Sequence, residues 1–296
     1  MGVLDELQEQ VQGAARQIGP AVVGIGTRRA LGSGVVVAAG KVLTNAHNVR
    51  GDAATVTFSD GRKETGTTEG VDVDGDIAVL SVDTGDITPV GWAQSVNPEP
   101  GTAVLALSNP GGRGLRVTFG LVSGTQRTFR GPRGRRITGS LEHTAPLLPG
   151  SSGGPVVDRE GKLLGVNTNR LGEGFYLAIP ADESLRTRVD ALARGESPHR
   201  RHLGVGVAPA HVARGLRRAV GLPDAEGLLV RQVEEDSPAA AGGLQEGDLI
   251  VEVGGSAVTD FDALTDAMES QPDGAVDIRV LRGTDERHLS VNLGQE

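Results

Sequence analysis

The chain has 296 residues, which at roughly 100 to 200 residues per domain favours two domains, each large enough to bury a core. Hydrophobic residues are 38% and charged residues 23%, but aromatics are only 2% and there are 45 glycines, so Val, Leu, Ile and Ala must build the cores and an all-helical fold is disfavoured. With no cysteine, disulfides, thiolate metal sites and a cysteine nucleophile are excluded; of the net charge of -9, -8 lies in residues 200–296, where 9 Arg face 17 Asp or Glu, so nucleic acid is not expected as a partner there.

Residues 1–19 form an N-terminal segment in which Leu4, Leu7, Val11 and Ile18 recur at near-helical spacing, predicting a short amphipathic helix. Acids come early in it and no apolar core precedes a small-residue cleavage site, so the sequence as it stands predicts a cytoplasmic protein. No stretch approaches the roughly 18 apolar residues of a membrane span.

From 20 to 181 the text changes to short runs divided by turn residues: AVVGIG, GSGVVVAAGKVLTNA, ATVTFSDG, DIAVLSVD, TAVLALSNPGG, LRVTFGLVSGT, GPVVDREGKLLGVNT and FYLAIP. β-Branched segments recurring at roughly 8 to 12 residues predict a β-sandwich or barrel domain. Residues 182–200 read as a helix, DESLRTRVDALAR, followed by an exposed linker, GESPHRRH. Residues 201–296 alternate strands such as GLLVRQV, DLIVEVGG and VDIRVLRG with helix-like SPAAAGG and DFDALTDAMES, as in a compact α+β module.

The chemistry centres on LLPGSSGGPVVD, 147 to 158. Alone it reads as a glycine-rich turn. A serine hydroxyl becomes a nucleophile only beside a base that a third group orients, and glycine lets backbone N–H groups approach a developing oxyanion. With Ser152 as nucleophile, the N–H groups of Gly150 and Ser152 are placed to form that hole. Only His47 and His143 precede the turn, and His47 lies in VLTNAHNV, where an apolar strand ends in a polar turn; Asp76 opens the apolar strand of DVDGDIAVLSV. Each alone reads as structural, but the order His, Asp, Ser is that of chymotrypsin, not of α/β-hydrolases. Gly150, Ser152 and Gly154 also satisfy G-x-S-x-G, but Pro146 and Pro149 interrupt the strand such an elbow requires. DVDGD fails as a calcium loop, because Ile77 and Asp83 stand where Gly and Glu are needed, so neither a metal nor a cofactor is expected.

The sequence resembles the HtrA/Deg family of trypsin-like serine proteases in GSGVVV (32–37), VLTNAHNV (42–49), GDIAVLSVD (75–83), VLALSNPGG (104–112), VTFGLVSG (117–124), TAPLLPGSSGGPVVDREGKLLGVNT (144–168) and GFYLAIP (174–180). The resemblance implies a mainly β fold of two perpendicular six-stranded chymotrypsin-like barrels with the site between them, followed by a PDZ domain. It makes His47 the general base, Asp76 its orienter, Ser152 the nucleophile, and Gly150 and Ser152 the oxyanion hole. Pro146, Val166, Asn167 and Thr168 stand where the family shapes its S1 pocket, and the lack of an acid there implies small to medium aliphatic P1 side chains. Two positions depart from the family: Ser151 where Asn is usual, and Asn48 where Val is usual after the base. The expected substrates are unfolded or damaged proteins, cleaved through an acyl-enzyme; the alternative is a catalytically idle peptide-binding scaffold or chaperone. Family members are often trimers held by N-terminal aromatics, whereas here no aromatic precedes Phe58.

Within the PDZ module, Leu203, Gly204, Val205 and Gly206 stand where such domains carry a carboxylate-binding loop, which implies recognition of peptide C-termini. Phe261, Leu264 and Met268 share one helix stripe, bordering the groove or filling the core. The basic stretch RTFRGPRGRR, with Arg127, Arg130, Arg133, Arg135 and Arg136, matches a family loop that reports on PDZ occupancy, the acidic PDZ surface being its expected contact.

Overall fold

A computed structural model describes residues 2–26, 31–94, 98–130, 136–172, 174–197, 203–271 and 274–293. The chain divides into two compact units, 1–198 and 199–296. Unit one opens with helix α1 (Val3–Ile18), whose Ala14 and Ile18 are buried while Val3 and Leu4 stay exposed.

Six strands follow: β1 (Val22–Gly26), β2 (Leu31–Ala38), β3 (Lys41–Thr44), β4 (Ala53–Thr57), β5 (Lys63–Asp72) and β6 (Ile77–Ser81), closed into a barrel in the order β1-β2-β3-β6-β5-β4. A second six form β7 (Ala103–Ser108), β8 (Arg116–Arg130), β9 (Arg136–His143), β10 (Pro155–Val157), β11 (Leu163–Gly172) and β12 (Phe175–Pro180), closed in the order β10-β11-β12-β9-β8-β7. Closure leaves no unpaired edge, so the short β-branched runs seen in the sequence pair on both sides. The first barrel is filled by Val23, Ile25, Val36, Val42, Val56, Phe58 and Leu80. A larger cluster spans the two barrels, with Leu43, Ile77 and Val79 from the first packed with Leu105, Leu107, Leu163, Val166 and Ile179 from the second. Helix α2 (Glu183–Leu192), capped by Asp182, adds Leu185, Val189 and Leu192 to that cluster.

Unit two has strands β13 (Val205–Ala208), β14 (Leu228–Val233), β15 (Asp248–Val253), β16 (Ser256–Ala257), β17 (Ala275–Arg282) and β18 (Asp285–Asn292). Its sheet runs β13-β14-β15-β17-β18, with β16 added to β15, so β13 lies at an edge. Three helices accompany it: α3 (Ala210–Ala219), α4 (Pro238–Ala241) and α5 (Phe261–Glu269). The mainly β architecture with a small α+β second domain is the one the sequence predicts. Helix α3 is new: the sequence reading assigned no helix between β13 and β14. No helix among the described residues is long and apolar enough to cross a membrane.

Candidate active site

His47 sits on a 3-10 turn, Ala46–Asn48, entered directly from β3. Asp76 ends the turn that leads into β6, and because β3 pairs with β6, the two come together from adjacent strand ends. His47 Nδ1 lies 2.9 Å from both Asp76 Oδ1 and Oδ2, and the backbone N–H of His47 donates to Oδ1 at 3.2 Å. A carboxylate only accepts, so in the neutral ring Nδ1 carries the proton and Nε2 presents its lone pair outward. Asp76 is 1% exposed, and burial of a carboxylate is tolerated only when it is hydrogen-bonded. Its remaining donor comes from the other barrel: Thr168 Oγ1 donates to Oδ2 at 2.7 Å.

Asp76 also has φ +54, a left-handed conformation that is costly for a side chain with a Cβ. Asn45 Nδ2 donates to the Asp76 carbonyl at 2.9 Å and helps fix that bend. Neither Asn45 nor the Thr168 bond could be read from the sequence, since these partners lie 31 and 92 residues from Asp76.

Ser152 lies on the loop before β10, and barrel one grips that loop through Ser33 of β2. Ser33 N–H donates to the Ser152 carbonyl at 2.8 Å, and Ser33 Oγ donates to the Gly150 carbonyl at 2.8 Å. Gly153 N–H donates to the Asn167 carbonyl at 2.7 Å, tying the other side of the loop to β11. At Gly153, φ is +88 and a Cβ would fall 2.0 Å from the Ser33 carbonyl oxygen, so the position admits only glycine. Gly150, also at φ +88, turns the chain so that, among the described residues, nothing accepts from the N–H of Gly150 or of Ser152. Two such neighbouring donors are what a developing oxyanion needs. The two serines separate cleanly: Ser151 is buried with its hydroxyl donating to Ser108 Oγ at 3.1 Å, whereas Ser152 Oγ donates to the Thr168 carbonyl at 2.9 Å. Among the described residues no hydrogen bond joins Ser152 Oγ to His47.

The residues expected at S1 divide. Pro146 is exposed and Thr168 reaches Asp76. Val166 is wholly buried in the core cluster spanning the barrels. Asn167 turns the opposite way, its Nδ2 donating to the Gly154 carbonyl at 3.0 Å and its Oδ1 lying 3.0 Å from His143 Nε2. His143 is fully buried and stacks on Tyr176; burial pushes its pKa down to about 4, against the smaller opposing effect of the Asn167 bond. It is therefore a neutral core histidine.

Of the basic stretch, Arg127 pairs with the buried Glu142 at 3.3 Å, and the backbones of Arg130 and Arg136 pair in register between β8 and β9. Arg133 and Arg135 lie outside the described residues.

In unit two, Leu203, Leu264 and Met268 share one core cluster against which Val205 packs. This brings the loop before β13 and the stripe of α5 together, while Phe261 of the same stripe is exposed. Gly204 takes φ +78, where a Cβ would fall 2.1 Å from the Ser237 side chain, and Gly206 pairs with Gln232 of β14.

Comparison with known proteins matches residues 32–166 to a trypsin-like peptidase domain and residues 229–282 to a PDZ domain. A probable periplasmic serine endoprotease, DegP-like, of Halomonas elongata is 34% identical over 275 residues, covering 90% of this chain and 57% of the relative, so the chain spans little more than half of that protein. The serine endoprotease DegS of Escherichia coli is 31% identical over 98% of this chain and 87% of its own. The crystal structure of a serine endoprotease from Yersinia pestis superposes with a TM-score of 0.70 at 28% identity, over 97% of this chain and 98% of the other. On its paired barrels, its PDZ domain and these relatives, the chain belongs to the HtrA/Deg family of trypsin-like serine endoproteases.

Proposed function

We propose that this chain is a serine endopeptidase that cleaves unfolded or damaged proteins, with Ser152 as nucleophile, His47 as general base and then acid, Asp76 as orienter, and Gly150 and Ser152 as oxyanion donors. The observation that carries the reading is the 2.9 Å pairing of His47 Nδ1 with a buried Asp76, together with the open backbone N–H groups of Gly150 and Ser152. Ser152 Oγ rotates from the Thr168 carbonyl to His47 Nε2, gives up its proton there and attacks the scissile carbonyl carbon. The oxyanion settles between the Gly150 and Ser152 N–H groups. His47 then returns the proton to the leaving amine, leaving an acyl-enzyme that a water molecule, deprotonated by His47, hydrolyses.

Pro146 and Thr168, with no acid among the four S1 positions, favour small to medium aliphatic P1 side chains. Leu203, Gly204, Val205 and Gly206, with Leu264 and Met268, form the proposed groove for peptide C-termini, in which a peptide pairs with the free side of β13 as an added strand. A sensing role for Arg127, Arg130, Arg133, Arg135 and Arg136 belongs to the same proposal; activity of the parent and of Arg127→Ser that ignores salt would remove it. The relatives' periplasmic name favours action outside the cytoplasm over the cytoplasmic location read from the sequence. Self-association, as a trimer by family, is read by sedimentation equilibrium.

Casein digestion tests the activity. The parent should degrade casein, and Ser152→Ala should not; equal digestion by both would remove the reading.

A further inference from the structure

Asn48 follows His47 on the same 3-10 turn, is 4% exposed, and interacts with the nucleophile's own backbone. Its Nδ2 donates to the Ser152 carbonyl at 2.9 Å and to Thr44 Oγ1 at 3.1 Å. The orientation of the amide follows from its partners. The Ser152 carbonyl can only accept, and the Thr44 hydroxyl proton is already committed to the Ser33 carbonyl at 2.7 Å, so both neighbours need donors and only Nδ2 supplies them. The amide lies in the space that a side chain at position 32 would fill, since a Cβ on Gly32 would fall 2.4 Å from Asn48 Cγ.

We infer that Asn48 is a positioning residue for the proteolytic reaction: its amide locks the Ser152 carbonyl to the turn that carries His47. This rests on the reading of Ser152 as nucleophile. The Ser152 carbonyl has two donors, Ser33 N–H and Asn48 Nδ2, both from the barrel that carries the base. Together with the Gly153 N–H bond to the Asn167 carbonyl, they fix the peptide plane after Ser152, and with it the direction of the Cα–Cβ bond that swings Oγ between the Thr168 carbonyl and His47 Nε2. An apolar side chain at position 48 leaves the carbonyl one donor, so the peptide pivots about the axis set by the Ser33 bond and the Gly153 N–H bond to the Asn167 carbonyl. Binding of substrate away from the reacting atoms is not touched by this pivot. The effect therefore falls on kcat and not on KM.

Asn48→Val and Asn48→Leu test the inference; the second keeps the branched shape and removes the donors. Both are titrated with a fluorophosphonate probe, which separates the fraction of competent sites from the labelling rate of those sites, and assayed on a peptide p-nitroanilide with Val at P1. Loss of one buried hydrogen bond in the attacking geometry predicts that labelling rate and kcat fall about threefold to tenfold at full labelling stoichiometry, with KM unchanged. A fall in stoichiometry with an unchanged rate for the labelled sites, or no change at all, would show that Asn48 serves the fold alone and overturn the inference. If Asn48→Val does not fold, Asn48→Leu is judged by the same two quantities. A parent chain that takes no probe would instead remove the Ser152 reading, and this inference with it.

Discussion

Thr168 donates its hydroxyl to Asp76 Oδ2 at 2.7 Å across the boundary between the two barrels. The same residue accepts Ser152 Oγ on its carbonyl at 2.9 Å, so one residue of β11 touches both ends of the proposed catalytic relay. The family resemblance implies a place for Thr168 only at the substrate pocket. The bond to Asp76 is charge-assisted and buried, and its removal leaves the carboxylate freer to rotate and the His47 ring less firmly held. Thr168→Val should lower kcat about tenfold with little change in KM, while Thr168→Ser, which keeps the hydroxyl, stays within about threefold of the parent. Steady-state kinetics on a peptide substrate read both; equal activity of all three chains would deny Thr168 this role.

Gly153 carries a second expectation. Because a Cβ there would fall 2.0 Å from the Ser33 carbonyl oxygen at φ +88, Gly153→Ala must displace either the loop that carries Ser152 or β2. Thermal unfolding should show a Tm lowered by roughly 10 °C together with loss of activity. Gly172→Ala, where a Cβ meets nothing within 4 Å, is the matched control and should leave Tm unchanged.

Much of this arrangement was legible in the sequence. Valine and isoleucine runs between turn residues gave the barrel strands away because each strand is buried through local composition. His47, Asp76 and Ser152 were singled out by their chain order and by the family motifs around them, since each alone reads as a structural residue. What escaped was contact between distant segments: Thr168 with Asp76, Ser33 with the Gly150 and Ser152 carbonyls, and Asn48 with Ser152, all pairs for which neither residue's neighbours carry a signal. Helix α3 escaped for another reason. Val212 and Leu216 do recur at helical spacing, but they are exposed among three arginines and only Ala213 and Arg217 are buried, so no core-facing apolar stripe marks the helix; Pro209 at its N-cap was a further hint.

His143 predicts acid sensitivity. Its pKa is lowered by burial to about 4, so between that value and the ordinary histidine value near 6.5 the unfolded chain binds a proton that the folded chain does not. Stability is therefore undiminished above about pH 6.5 and is lost as pH falls toward 4, by about 3 kcal/mol in all from this group. Urea unfolding of the parent against His143→Gln should show the variant's stability falling less over that window. Parallel curves would mean that His143 is not buried in its neutral form.

The charge of unit two predicts a selectivity among peptides. Residues 200–296 carry 9 Arg against 17 acids, a field that repels acidic tails and is screened within about 10 Å at 0.1 M salt. Fluorescence polarisation at low salt should show basic-tailed peptides with apolar C-termini binding more tightly than acidic-tailed ones, with the difference shrinking as salt is added. Equal affinities at low salt would remove the charge argument.

The central claim is that Ser152, and not its neighbour, is the nucleophile, and its most direct measurement is covalent labelling by a fluorophosphonate probe in three chains. Ser151 is buried against Ser108 Oγ, so Ser151→Ala should still take up to one probe per chain, as the parent does, whereas Ser152→Ala should take none. Labelling of Ser152→Ala to the level of the parent, or a Ser151→Ala chain that alone fails to label, would contradict the account.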